Sequence, residues 1–121
     1  MTLKDMEDVL EVREALDELA AKIACKKISD EQLANLKTIK DEFKRSMDSG
    51  DVKKIAEEDV KFHDAIYEAT NNAKLVSMMN NIREQMYRYR VEYLKDPKNY
   101  PMLVKEHDAI YRRLRQEIWS L

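Results

Sequence analysis

Apolar residues return every three or four positions along most of the chain, the spacing of one face of an α-helix. In the first segment Val9, Leu16, Ala20 and Ile23 keep that spacing with no Gly or Pro among them, which predicts an amphipathic helix from Leu3 to about Lys26. Ser29 with Gln32 three residues on is a capping-box pair, and Leu33, Leu36, Ile39 and Phe43 then form an inward stripe. A second helix is therefore predicted from about Asp30 to Met47. Ser49-Gly50-Asp51 turns the chain into a third helix, from about Val52 to Ala69, and Asn71-Asn72 separates that from a fourth, from Lys74 to about Leu94. Pro97 marks a loop, and Pro101 suits the first turn of a fifth helix, where its missing N–H costs nothing, running to about Trp119. Five helices with short connections predict an all-α antiparallel bundle.

Composition agrees with the pattern: one Gly and two Pro in 121 residues leave little to interrupt helices. That length predicts a single domain over residues 1–121, since a useful core takes on the order of 100 residues. Charged residues make up 38% of the chain, yet the formal net charge is only -2, so no direct contact with nucleic acid is expected. No apolar run approaches the roughly 20 residues of a membrane span, and the expected location is the cytoplasm. The lone Cys25 points to no disulfide or zinc cluster.

The candidate chemistry lies in polar residues that fall on apolar faces. Asp59 sits inside the stripe formed by Ile55, Phe62 and Ile66, with His63 one turn on at its edge, and His107 falls between Leu103, Ile110 and Leu114. A carboxylate withdrawn from water needs a cation, donors or a metal. One carboxylate and two imidazoles suit Zn²⁺, Ni²⁺ or Mn²⁺; two core histidines hydrogen-bonded to Asp59 or to a tyrosine would satisfy the same pattern. Arg13 lies between Val9, Leu16 and Ala20 and, being always charged, wants an anion, either a core carboxylate or a ligand. Arg83 and Arg90 share one flank of the stripe Leu75, Met79, Ile82, Met86 and Tyr93, either as surface arginines or as a grip on a ligand carboxylate. Tyr87, Tyr89, Tyr93, Met78, Met79 and Met86 either pack as core or line a pocket, and Tyr89 joins the three arginines as a candidate ligand-binding residue.

Several stretches in order, Glu11-Val12-Arg13-Glu14-Ala15-Leu16, Ala20-Ala21, Asp59-Val60-Lys61-Phe62-His63-Asp64-Ala65-Ile66, Asn72, Leu75 and Glu106-His107-Asp108-Ala109-Ile110, resemble the effector-binding and dimerisation (FCD) domain at the carboxyl end of FadR-type regulators of the GntR family. The resemblance covers essentially the whole chain. It implies a helical bundle that forms homodimers, binds a small organic acid and passes that event to an amino-terminal winged helix holding DNA. In metal-containing members an Asp and a His on one helix and two further histidines hold the ion, which implies metal roles for Asp59, His63 and His107. The arginine of the family's first helix often contacts the effector, which implies that role for Arg13. The chain departs from the family in two respects. The 121 residues hold no winged helix, and no third histidine, which the family's usual last helix supplies; that helix would lie beyond Leu121. The apolar end Ile118-Trp119-Ser120-Leu121 is expected to pack on the bundle or on a partner chain.

The leading expectation is thus a dimeric sensor of a small carboxylate, not an enzyme. The pairs His63-Asp64 and His107-Asp108 superficially suggest a metal-dependent hydrolase, but each aspartate lies about 100° from its histidine around the helix and should face outward. A helical module that only dimerises, without metal, is the other alternative.

Overall fold

A computed structural model describes residues 2–116, and among them are five α-helices and no strand. They are α1 (Leu3–Lys27), α2 (Asp30–Ser46), α3 (Val52–Ala69), α4 (Ala73–Tyr93) and α5 (Tyr100–Gln116), an all-α bundle. The expected end of the fifth helix at Trp119 and the packing of Ile118–Leu121 lie outside the described residues.

The helix starts are set by side-chain caps that satisfy backbone N–H groups left open in a first turn. Thr2 Oγ1 accepts from the Asp5 N–H at 3.0 Å while Asp5 Oδ2 accepts from the Thr2 N–H at 3.2 Å. Ser29 and Gln32 make the same reciprocal pair at 3.0 Å each, as the sequence predicts. Asp51 and Asn72 cap α3 and α4. Gly50, with φ 67°, adopts the left-handed conformation that ends the short 3₁₀ helix Met47–Ser49 after α2, and a side chain there would be strained.

The central helix is α3, which packs against α1, α2 and α4; α5 lies against α2 and α1. Ala20, Ala21 and Ala24 are small and buried, so the backbone of α1 can approach its neighbours closely. One hydrophobic cluster includes Leu16, Leu36, Phe62, Ile66, Met79 and Leu114, and a second groups Phe43, Ile55, Leu94 and Leu103. Phe43 and Phe62 are fully enclosed, each contributing about 1.5–3 kcal/mol of burial. The bundle also buries Arg13, Asp59 and Arg90, together with His63 and His107. No helix of the described residues is long and apolar enough to cross a membrane.

Candidate metal centre

Asp59 is buried on α3, at 2% exposure, and its two oxygens are engaged from different sides. Arg90 Nε, from α4, donates to Oδ2 at 2.9 Å, and His107 Nε2, from α5, lies 2.7 Å from Oδ1. His63 Nε2 is 3.5 Å from Oδ1, and Arg13 Nη2 is 4.0 Å from Oδ2. Burial pushes the Asp59 pKa up, but His63, His107 and Arg90 together outweigh it and hold the group well below the usual carboxylate range. An ionised carboxylate only accepts, so the His107 proton that meets it sits on Nε2.

His107 is stacked on Phe62, with centroids 3.9 Å apart and planes 7° apart, and its other face meets Phe43 at 4.2 Å. Burial lowers the His107 pKa, against the opposing effect of the hydrogen bond that His107 donates to Asp59. His63 stands edge-on to His107, with centroids 5.6 Å apart. Its Nε2 is buried with no hydrogen-bond partner, although it faces carboxylate oxygens. One donor atom from each of Asp59, His63 and His107 lies within 4.8 Å of the others, all on buried residues. Donors held at about 2.0–2.2 Å from one ion stand roughly 3 Å apart, so small side-chain shifts, with the His107 proton moved from Nε2 to the buried, partnerless Nδ1, bring this set to a metal. The donor types and the partnerless His63 nitrogen fit a borderline divalent ion such as Zn²⁺ or Ni²⁺, or Mn²⁺ with more oxygen ligands.

Arg13, on α1, is buried beside this set and donates through Nε to Asp17 Oδ2 at 2.9 Å. Burial lowers its pKa, yet the charges of Asp17, Asp59 and Glu106 outweigh that and raise it. Asp17 Oδ1 in turn accepts from the Tyr67 hydroxyl at 2.5 Å, and burial together with Asp17 pushes the Tyr67 pKa up. The core carboxylates that Arg13 requires are therefore Asp17 and Asp59.

An open cleft of about 550 Å³ lies next to the buried set, bounded by α1, the end of α4 and α5. Arg13, Tyr89, Arg90 and Glu106 line it, and the Arg90 guanidinium lies over the rings of Tyr89 and Tyr93 at 5.8 and 5.5 Å. Arg13 also borders a narrow gap shared with Asp59, His63 and Arg83. Three of the four residues singled out for ligand binding thus meet at the cleft. Arg83 does not: half-exposed, it donates to Asp64 Oδ2 at 2.6 Å and to Asn80. Arg90, two turns on, is 5% exposed and lies far deeper than a surface arginine. Asp64 and Asp108 face outward, to Arg83 and to Lys40 at 2.8 Å, so neither joins its histidine at the centre.

Sequence reasoning did not single out Asp17, Tyr67 or Glu106. Asp17 had a readable signal, since it stands one turn from Arg13 on the same helix. Tyr67 had none, because its partner is 50 residues away. Glu106 shares its turn with His107.

No curated protein and no solved structure matches the chain. The family model for the FCD domain matches residues 8–118, nearly the whole length. The chain accordingly belongs to the FCD domain family, the ligand-sensing, regulatory carboxyl-terminal domain of FadR-type GntR regulators.

Proposed function

We propose that this domain senses a small organic acid at a site built on a divalent metal held by Asp59, His63 and His107, and thereby controls DNA binding by a separate domain. The observation that carries the reading is the buried convergence of these three donors around a His63 nitrogen that has no other partner. When bound, the ion supplies a concentrated positive charge that attracts a carboxylate. Arg90 fixes Asp59 by its second oxygen, and the phenyl rings of Phe43 and Phe62 fix the plane of His107. Arg13, tied to Asp17 at one side, offers its guanidinium edge at the boundary between metal site and cleft, where Arg90 and Tyr89 add further polar contacts. No catalytic role is part of this reading.

The domain works as a cytoplasmic homodimer without touching nucleic acid itself. Val12 and Leu19, half-exposed and two turns apart on α1, are apolar surface available to a second copy. Effector binding moves such a dimer only by the difference in its affinity for the two arrangements.

A second reading, a metal-free dimerising bundle, is favoured by one observation: Arg90 and His107 already satisfy both oxygens of Asp59. Metal analysis of the purified chain beside Asp59→Ala and His63→Ala separates the two. The sensor reading expects about one ion per chain, lost in both variants; equal content in all three leaves the metal-free bundle.

A further inference from the structure

The His63 nitrogen without a partner faces a second carboxylate. Glu106 Oε1, on α5, lies 3.7 Å from His63 Nε2, close to the 3.5 Å that separates that nitrogen from Asp59 Oδ1. Both separations exceed hydrogen-bonding distance. Both are close to the roughly 3.3 Å between neighbouring donors around a tetrahedral ion with bonds of about 2.0 Å. The two carboxylates approach from opposite environments: the Asp59 side chain is 3% exposed, whereas that of Glu106 is 40% exposed and borders the cleft. Glu106 stands outside the compact set of three donors, so it reaches the same point by a rotation of its own side chain.

We propose that Glu106 is a fourth protein ligand to the metal, and that it is the ligand which an incoming carboxylate replaces. The inference rests on the metal-site reading above. Asp59 is pinned at its other oxygen by Arg90, and Asp59 and both histidines are buried, so none of those three can swing away without opening the core. Glu106 faces the cleft and can leave. The exchange conserves charge at the ion, since one carboxylate departs as another arrives. Effector affinity is then set partly by competition with Glu106, and the site keeps its fourth ligand while no effector is present.

The test uses Co²⁺, whose visible absorption reports its ligand set, with acetate as the carboxylate probe. The chain is compared with Glu106→Gln, Asp59→Ala and His63→Ala, with circular dichroism on each to check folding. Glu106→Gln is expected to fold normally, to bind Co²⁺ about tenfold or more weakly and to show an altered visible band. Acetate is expected to shift the native spectrum and to bind the Co²⁺ form of Glu106→Gln more tightly than the native one. Native affinity, spectrum and acetate response in Glu106→Gln, while Asp59→Ala and His63→Ala lose the metal, would overturn this inference alone. Failure of the native chain to bind Co²⁺ would overturn the metal-site reading and this inference with it.

Discussion

The same five residues occur twice, as His63-Asp64-Ala65-Ile66-Tyr67 on α3 and His107-Asp108-Ala109-Ile110-Tyr111 on α5, and the bundle uses the two copies differently. In both, the histidine turns inward to Asp59 Oδ1 and the aspartate turns outward to a cation, Arg83 in one and Lys40 in the other. From there the copies diverge. Ile66 and Tyr67 are core residues, and the Tyr67 hydroxyl reaches Asp17, whereas Ile110 borders the open cleft and Tyr111 lies partly exposed beneath Lys40. The cause is the position of each helix: α3 is enclosed by three neighbours, while one flank of α5 faces the cleft. A local sequence decides which way a side chain points; the neighbours of its helix decide how deeply it is buried.

The depth of this arrangement ranks the consequences of breaking it. The largest effect is expected at Asp59, which both histidines share. Asp59→Ala leaves the Arg90 guanidinium without its buried anion and Arg13 with Asp17 alone, and should cost about 3–5 kcal/mol in denaturant unfolding. Combining it with Arg90→Met should recover part of that loss, because the stranded charge is removed as well.

The histidines come next. His107→Ala empties a space between two phenyl rings and should cost about 2–5 kcal/mol. His63→Ala, which removes a ring held only edge-on and a nitrogen without a hydrogen bond, should cost nearer about 1 kcal/mol. Equal losses at the two positions would show that the sandwich around His107 does not set its contribution.

The tyrosines sharpen the contrast further. Tyr67→Phe removes a hydrogen bond to a charged group and should cost about 1.5–3 kcal/mol, while Tyr111→Phe should stay within about 0.5 kcal/mol. The Tyr67 pKa is raised in the folded chain, so its contribution is fully present below the unfolded value near about 10 and declines as pH rises beyond that. The stability gap between the native chain and Tyr67→Phe should therefore narrow in alkaline solution, as pH-dependent unfolding curves would show. Asp64→Ala and Asp108→Ala should likewise cost little, since their half-exposed ion pairs are worth at most about 1 kcal/mol each.

Much of this arrangement is legible in the sequence. Periodicity put Asp59, His107 and Arg13 on apolar faces, and all three are buried. Ser29 and Gln32 announced the start of α2, and the start of α4 falls one residue before its expected place at Lys74. The flanks of helices were not legible. Arg83 and Arg90 occupy equivalent positions on α4, yet Arg90 is drawn into the core by Asp59, 31 residues away, and Arg83 is held at the surface by Asp64. The Tyr67–Asp17–Arg13 chain was hidden for the same reason, since its links join helices whose proximity only the fold creates. Facing direction is a property of one helix, but pairing is a property of two.

In the proposed sensor the side chains of Asp59, His63 and His107 surround one divalent ion. Anomalous difference maps from crystals of the chain grown with Zn²⁺, recorded on either side of the zinc absorption edge, would locate that ion. A single strong peak is expected, bounded by those three side chains, with the His107 ring still between Phe43 and Phe62. Full-occupancy zinc only elsewhere, with His107 still hydrogen-bonded to Asp59, would contradict that arrangement.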